Sequence, residues 1–108
     1  MFKKAKISWE EIVSSYRRNP RDVKTIPLHK EGIWFYVSAE NNNVYIERAK
    51  DHFNSSKIKK RASLEKEKVE KMLSLYYRRN QGEPVSQEAI DTTHYQVYWY
   101  GIFADMGL

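Results

Sequence analysis

The chain has 108 residues, a formal net charge of +5 and no cysteine. This length predicts a single domain over residues 1–108. Without cysteine, disulfides, thiolate metal sites and thiol catalysis are excluded, and no apolar run approaches the roughly 20 residues of a membrane span. The N-terminus carries Lys3 and Lys4 but lacks the apolar run of a signal peptide, so the sequence predicts a cytoplasmic protein with no membrane partner.

An amphipathic helix is predicted at residues 8–18. Ser8 is a favourable N-cap residue, and Glu11, three positions later, completes a capping box. Apolar side chains recur at helical spacing along this segment, which indicates one buried stripe. Asn19-Pro20 ends the helix. The loop that follows is expected to contain a short extended piece at 23–28.

The stretch 33–50 predicts a β-hairpin with two different faces. Asn41-Asn42 is a suitable two-residue turn, because asparagine tolerates the positive φ that a type I′ turn requires. Pairing Glu40 with Asn43 separates the apolar side chains from the exposed aromatic ones, so the pattern itself favours this register. The apolar face carries Ile33, Phe35, Val37, Val44 and Ile46, and the aromatic face carries Trp34, Tyr36 and Tyr45.

A long helix is predicted after a polar loop. Ser63 is the expected N-cap, and the helix continues to about Gln81. Gly82 and Pro84 end it, since glycine adopts the positive φ of a helix C-terminus and proline cannot continue the helix.

A shorter helix is predicted at 86–92. Ser86 is its expected N-cap, and Val85 and Ile90 occupy the two positions of a hydrophobic staple.

Residues 93–106 carry two conflicting signals. Thr93 and Gln96 form a second capping box, which indicates a helix, whereas the run YQVYWYGIF has the β propensity of a strand. We favour a helix, because a capping pattern is tied to positions whereas propensity is routinely overridden. Such a helix is apolar all round. It is therefore expected to be a core helix or, from Tyr95 to Phe103, an interface with a partner protein or a second copy.

These elements together predict an α+β fold. A small antiparallel sheet built on the 33–50 hairpin is packed by three or four helices. The expected core residues are Phe35, Val37, Ile46, Val69, Met72, Leu73, Val97, Ile102 and Phe103.

Basic and aromatic residues together predict a nucleic-acid-binding site. Cations hold phosphates, and flat rings stack on bases. The alternative is that cations at helix C-termini only complement the helix dipole. The leading hypothesis is a binding protein for DNA or RNA, without catalytic activity, metal or cofactor. Its candidate residues are Arg17, Arg18, Trp34, Tyr36, Tyr45, Arg48, Lys57, Lys59, Lys60 and Arg61. The second hypothesis is a protein-interaction module or homodimer that uses an aromatic surface of the hairpin or of Tyr95–Phe103.

Residues 69–103 resemble the helix-turn-helix unit of bacterial DNA-binding proteins. The resemblance rests on Val85-Ser86-Gln87-Glu88-Ala89, a Thr-Thr turn and a following helix at 94–103. It implies that this last helix recognises DNA. Residues 84–108 contain no lysine or arginine, however, so the segment is expected to be core or a protein interface.

The hairpin also resembles the opening of the GIY-YIG nucleases. Gly32-Ile33-Trp34 and Tyr45-Ile46-Glu47 have the spacing of the two strand motifs of that family. The resemblance implies metal-assisted phosphodiester cleavage by a tyrosine, an arginine and a glutamate. Tyr45 matches the second tyrosine and Arg61 is the candidate arginine, but Trp34 replaces the first tyrosine and no glutamate can be singled out.

The three histidines predict neither a metal site nor a catalytic triad. His29, His52 and His94 are widely spaced, and none has a histidine partner at i+3 or i+4. Asp51 precedes His52, but adjacent residues on an extended chain point in opposite directions. Asp51 is therefore expected to cap a turn.

Overall fold

A computed structural model of the protein describes residues 6–108, so Lys3 and Lys4 lie outside the described part of the chain. The architecture is α+β, as predicted, with helices on one side of a four-stranded antiparallel sheet. In chain order the elements are α1 (Trp9–Arg18), β1 (Arg21–Lys24), β2 (Trp34–Glu40), β3 (Asn43–Arg48), β4 (Ala62–Ser63), α2 (Val69–Asn80), α3 (Ser86–Thr92) and α4 (Gln96–Asp105).

The hairpin of β2 and β3 has the predicted register. The strands of the sheet follow the order β1-β2-β3-β4, and Glu40 lies opposite Asn43. The predicted turn type is wrong. Among the described non-glycine residues only Asn41 has a positive φ, of 57°, whereas a type I′ turn needs positive φ at both central residues.

Alternation along the strands gives the sheet one buried and one open face. The buried face carries Phe35, Val37, Val44 and Ile46. Helix α1 contacts β2 and β3, α4 contacts β1, and the ring of Tyr98 from α4 meets Phe35 edge-on at 4.9 Å. The opposite surface, which we call the outer face, therefore points away from these helices and carries Trp34, Tyr36 and Tyr45.

Helix α1 forms as predicted. The Ser8 hydroxyl accepts a hydrogen bond from the amide of Glu11 at 3.1 Å, which satisfies one of the unpaired amides of the first turn. The buried stripe consists of Trp9, Ile12, Val13 and Tyr16. The extended piece predicted at 23–28 is shifted toward the N-terminus, because the strand is Arg21–Lys24 and Pro27 has no N–H to extend it.

The predicted start of α2 at Ser63 is wrong. Ser63 belongs to β4 and lies opposite Tyr45, and the amide of Leu64 donates to Val44 at 2.9 Å. Pairing with the sheet therefore uses the backbone that the helix would need. Helix α2 begins only at Val69, after a 3₁₀ turn at Lys66–Lys68. Its end is as predicted, with Gly82 at a φ of 90° after the last turn.

Helix α3 has the predicted bounds but not the predicted cap. Val85 occupies the N-cap position, and Ser86 is the first residue of the helix. No side chain forms a capping hydrogen bond at the N-cap. Because Val85 is the N-cap, Val85 and Ile90 do not occupy the predicted N′ and N4 positions of a staple, and Ile90 is 52% exposed.

The C-terminal segment is a helix, as favoured, although its cap differs. The Thr93 hydroxyl accepts from the amide of Tyr95 at 3.1 Å and donates to Glu65 at 3.0 Å, so it does not form the predicted box with Gln96. Val97 is 42% exposed, so its predicted place in the core is wrong. The packed side of α4 is formed by residues at i, i+3 and i+4, and Val97 lies off that side. These packed residues are Trp99, Ile102 and Phe103.

Gly101 sets how closely α4 approaches the sheet. A Cβ atom at this position would lie 2.9 Å from the carbonyl oxygen of Lys24 and 3.1 Å from the ring of Phe35. Neither the strand backbone nor a buried ring can move without disturbing its other neighbours. We therefore expect Gly101→Ala to lower the free energy of unfolding by about 1–3 kcal/mol, measured by urea denaturation. Gly107→Ala is not a suitable control, because Gly107 has a φ of 87°. Helix propensity alone would make Gly101→Ala stabilising by about 1 kcal/mol, so any loss of stability reports the contact of α4 with the sheet. An unchanged urea midpoint for Gly101→Ala would show that α4 packs on the sheet more loosely than these two distances indicate.

No helix within residues 6–108 has both the length and the apolar character needed to cross a membrane.

Candidate nucleic-acid interface

The outer face presents three half-buried aromatic rings on two adjacent strands. Trp34 and Tyr36 lie two residues apart on β2, and Tyr45 lies on β3 opposite Ser38. Residues i and i+2 of a strand are separated by roughly 7 Å, and diagonal neighbours across two strands lie about as far apart. The three side chains therefore lie in a row on the outer face, with Tyr36 between Trp34 and Tyr45.

A cation lies over each of these rings. The Lys50 ammonium is 4.2 Å from the ring centre of Tyr36, and the Arg61 guanidinium is 3.9 Å from that of Tyr45. Lys24 lies 5.8 Å from the ring centre of Trp34. All three distances fall within the roughly 6 Å over which a cation is attracted to a ring face. Aromatic rings and positive charges are thus interleaved on the outer face.

Trp34 is also covered by a histidine from the loop after β3. The imidazole of His52 stacks on the indole at 3.5 Å with an angle of 9° between the planes. Nδ1 of His52 lies 2.7 Å from Oδ2 of Asp22. The Asp22 carboxylate also accepts hydrogen bonds from the backbone amides of Lys50 at 2.9 Å and Asp51 at 2.8 Å. The side chain of Asp22, which is only 3% exposed, therefore anchors this loop against the sheet.

The environment of Asp22 favours its ionised form. Burial by itself would raise the pKa of this carboxyl, but the hydrogen bonds from His52 and the two backbone amides outweigh burial and lower the pKa below its ordinary value. An ionised carboxylate beside Nδ1 selects the tautomer with its proton on that nitrogen. The sequence predicted that Asp51 caps a turn and does not pair with His52; in the structure the carboxylate beside His52 is Asp22, and Asp51 contributes its backbone amide to the same carboxylate.

The basic loop at 57–61 begins beside the first residue of β2 and leads into β4, the edge strand next to β3. The amide of Ser56 donates to the carbonyl of Trp34 at 2.8 Å, and Nε of Arg48 donates to the carbonyl of Ile58 at 3.1 Å. The side chains of three lysines in this loop are exposed, and within residues 6–108 no ion pair involves them. These residues are Lys57, Lys59 and Lys60.

The structure brings together only part of the predicted site. Arg17 and Arg18 end α1, which packs on the buried face, and they bond to the carbonyls of Asn41 and Ser14. Arg48 lies opposite Phe35, so alternation directs it away from the outer face. The predicted residues that share the outer face are Trp34, Tyr36, Tyr45 and Arg61.

Three functional candidates were missed by sequence reasoning. Lys24 and Lys50 were not parts of basic clusters, and Asp22 was an isolated carboxylate thirty positions before His52. Strand alternation would have placed Lys24 opposite Trp34 if β1 had been recognised, because cross-strand partners share a face.

The C-terminal helices do not present a recognition surface. Half of α4 is buried, and the ring of Tyr98 packs on Phe35. Helix α4 also has no lysine or arginine to hold phosphates beside a groove of DNA. The residues of α4 that are buried are Trp99, Tyr100, Gly101, Ile102 and Phe103.

The two residues carried over from the nuclease resemblance, Tyr45 and Arg61, are in contact on the outer face. Within residues 6–108, no three histidine, aspartate or glutamate side chains are grouped so that they could hold a metal ion. The outer face carries aromatic rings and cations.

Comparison with known proteins reveals no relative of this chain. No protein family, curated protein or solved structure matches it. The chemistry of the outer face is therefore the basis for a functional proposal.

Proposed function

We propose that the outer face binds single-stranded nucleic acid in the cytoplasm, without catalysing a reaction. One observation carries this proposal. The rings of Trp34, Tyr36 and Tyr45 lie on a sheet surface that α1 and α4 do not cover, and each ring lies within reach of a cation. Rings that stack on bases and cations that hold phosphates are the two components of a single-strand binding surface.

The relative energies allow a base to replace a cation on a ring. A cation over an exposed ring contributes about 0.5–1 kcal/mol, whereas stacking of a base on an aromatic side chain contributes about 1–3 kcal/mol. A base can therefore displace Lys50 from Tyr36 or Arg61 from Tyr45, and the displaced cation stays close enough to bind the adjacent phosphate. Trp34 already stacks on His52. Tyr36 and Tyr45 are consequently the principal stacking residues.

Glu47 lies opposite Tyr36 on the outer face and opposes phosphate binding there, whereas the other acidic groups near this surface are already paired. Glu40 pairs with Arg61 at 3.5 Å and Glu31 pairs with Lys24 at 3.8 Å, and all four side chains are well exposed. Exposed ion pairs contribute about 0–1 kcal/mol, so a phosphate can compete for these cations. Asp22 is shielded by its own hydrogen bonds.

Unpaired bases fit this surface better than a duplex does. In a duplex both faces of each base are already stacked on neighbouring bases, whereas a loop or a single strand can place its bases on aromatic side chains. The proposal therefore predicts tighter binding of a mixed-sequence single strand than of the same sequence as a duplex.

Fluorescence anisotropy with labelled single-stranded DNA, single-stranded RNA and duplex DNA tests the proposal. Affinity should fall steeply with salt, because bound phosphates release counterions when cations replace them. We expect Lys50→Glu combined with Arg61→Glu, which reverses the charge of the cations over Tyr36 and Tyr45, to weaken binding to all sequences alike. The variant should also flatten the plot of log affinity against log salt by about one for each phosphate that it no longer binds.

A matched control applies the same charge change elsewhere. Lys6→Glu with Lys66→Glu reverses two exposed lysines that line a cleft at the start of α1. This control should retain most of the affinity. Equal affinity of the Lys50 and Arg61 variant and the wild type, or equal losses of affinity in this variant and the control, would refute the proposed site.

A further inference from the structure

One carboxylate of the outer face lies between the two principal stacking residues and has no partner. Glu47 is the cross-strand partner of Tyr36 and follows Tyr45 by two residues on β3. Cross-strand partners share a face of a sheet, with Cβ atoms roughly 5 Å apart, and residues i and i+2 of a strand share a face about 7 Å apart. Within residues 6–108, no ion pair or hydrogen bond involves the Glu47 carboxylate.

The carboxylate on the other side of Tyr36 is fully used by the fold. Asp22 is the partner of Tyr36 on β1 and accepts hydrogen bonds from the loop after β3. Its side chain is only 3% exposed, whereas Glu47 is half-buried. Of the two carboxylates that flank Tyr36, only Glu47 is therefore available to a ligand.

The chemistry of Glu47 determines which part of a nucleic acid can lie beside it. A carboxylate accepts hydrogen bonds and donates none, so it repels phosphate oxygens and the acceptor atoms of bases. It attracts groups that present N–H donors. On a surface where cations hold the phosphates, this carboxylate therefore faces the edge of a base.

Guanine is the one common base whose Watson–Crick edge presents two adjacent donors. Its N1–H and 2-amino group point in the same direction, so the two oxygens of one carboxylate can accept both hydrogens. Adenine and cytosine place one amino group beside an acceptor nitrogen, and uracil and thymine place one N–H between two carbonyl oxygens. In those four bases an acceptor atom faces the carboxylate and weakens the contact.

We propose that Glu47 makes the outer face select guanine in single-stranded nucleic acid. A guanine stacked on Tyr36 in place of Lys50 directs its N1–H and 2-amino group at the two oxygens of Glu47. The displaced Lys50 binds the adjacent phosphate. This inference rests on the proposed function, because it assigns base selectivity to the same surface.

Other partners of Glu47 fit the surroundings less well. A basic segment of a partner protein could pair with the carboxylate, but the cations over the three rings would repel it. A metal ion would need further ligands, and within residues 6–108 no three histidine, aspartate or glutamate side chains are grouped to hold one. A base brings donors without positive charge, and its own phosphate is attracted by the same cations.

Anisotropy titration with labelled single-stranded DNA tests this inference. The strands contain only adenine and thymine except for one central position, which is guanine, hypoxanthine or adenine, and a single guanine avoids association between strands. We expect the guanine strand to bind about tenfold more tightly than the adenine strand, because two hydrogen bonds to a charged group are gained. The hypoxanthine strand should lie between them, since hypoxanthine keeps N1–H and lacks the 2-amino group.

Glu47→Gln should remove this selectivity without removing binding. The amide keeps the size of the side chain but has one acceptor oxygen, so affinity for the guanine strand should fall about tenfold, to that of the adenine strand. Affinity for the adenine strand should stay the same or rise, because a negative charge near the phosphates is lost. A purely structural role of Glu47 would not move the two affinities in this way.

Glu40→Gln is the matched control. Glu40 pairs with Arg61 at 3.5 Å, so the variant makes the same charge change at the edge of the outer face. It should leave the preference for guanine intact and change the affinity for all strands alike.

Three results would overturn the inference. Equal affinity of wild type for the guanine and adenine strands would refute it and leave the proposed function standing, since the surface would bind every base alike. Retention of the preference in Glu47→Gln would assign the selectivity to another residue. An equal loss of affinity for both strands in Glu47→Gln would assign Glu47 a structural role. Failure of wild type to bind any strand would instead refute the proposed function itself, and this inference with it.

Discussion

Replacing Tyr36 and Tyr45 together by leucine should weaken binding of single-stranded nucleic acid by about 30-fold or more, since each base stacked on an aromatic side chain contributes about 1–3 kcal/mol. Leucine keeps an apolar group at both half-buried positions, so the sheet should remain intact. Anisotropy titration at constant salt measures the decrease in affinity. The single variants should each show part of it, because both rings have only a cation above them in the free protein.

The salt dependence distinguishes stacking from charge. Removal of the two rings should lower affinity at every salt concentration and leave the slope of log affinity against log salt unchanged, because every cation that binds a phosphate is still present. Tyr95→Leu is the control, since Tyr95 is also a half-buried tyrosine but lies at the start of α4 and not on the outer face. Affinity equal to that of wild type in the double variant would mean that bases do not stack on these rings.

Asp22→Asn should be among the most destabilising changes of a polar residue in this protein. The carboxylate accepts two backbone amides and one imidazole hydrogen, and an amide side chain of the same shape directs an NH₂ group at one of these donors. Hydrogen bonds to a charged group contribute about 1.5–3 kcal/mol each, and an unpaired buried donor adds a penalty. We expect the free energy of unfolding to fall by about 2–4 kcal/mol, measured by urea denaturation at neutral pH.

The effect of Asp22 should depend on pH in one direction. Its pKa in the folded protein lies below the ordinary value, so the unfolded chain binds the proton more readily. The stabilisation is therefore complete above the unfolded pKa of about 3.9 and is lost as the pH falls toward the folded pKa. The difference in stability between wild type and Asp22→Asn should shrink over this acidic range.

Glu88 contributes an acid-sensitive component of its own. Hydrogen bonds from Arg78 and Lys71 lower its pKa to about 2. Because this component is the same in both proteins, it cancels in the comparison. His52→Ala is a second control and should cost less than Asp22→Asn, since Asp22 keeps both backbone amides. A difference that persists unchanged into acid would show that Asp22 acts by shape rather than charge.

Local features of this protein could be predicted from its sequence. The register of the 33–50 hairpin followed from the alternation of apolar and aromatic residues, because a slip by one residue would mix the two faces. The start of α1 followed from Ser8, whose hydroxyl accepts a hydrogen bond from the amide of Glu11, three residues later. Both features depend only on residues that are close in the sequence. The hairpin register placed Trp34, Tyr36 and Tyr45 on one face, so these three rings were among the predicted site residues.

Contacts between distant segments decided the rest. Ser63 pairs with Tyr45 of β3 instead of capping α2. This pairing joins residues that are distant in the sequence, so local capping patterns could not reveal it. Asp22 meets His52 only because β1 lies beside β2. Lys50 and Arg61 reach Tyr36 and Tyr45 because the loop after β3 is anchored to Asp22 and returns to β4. Hydrophobic periodicity and helix caps involve residues a few positions apart, so the sequence alone determines them. These pairings instead depend on which strands become neighbours in the folded protein.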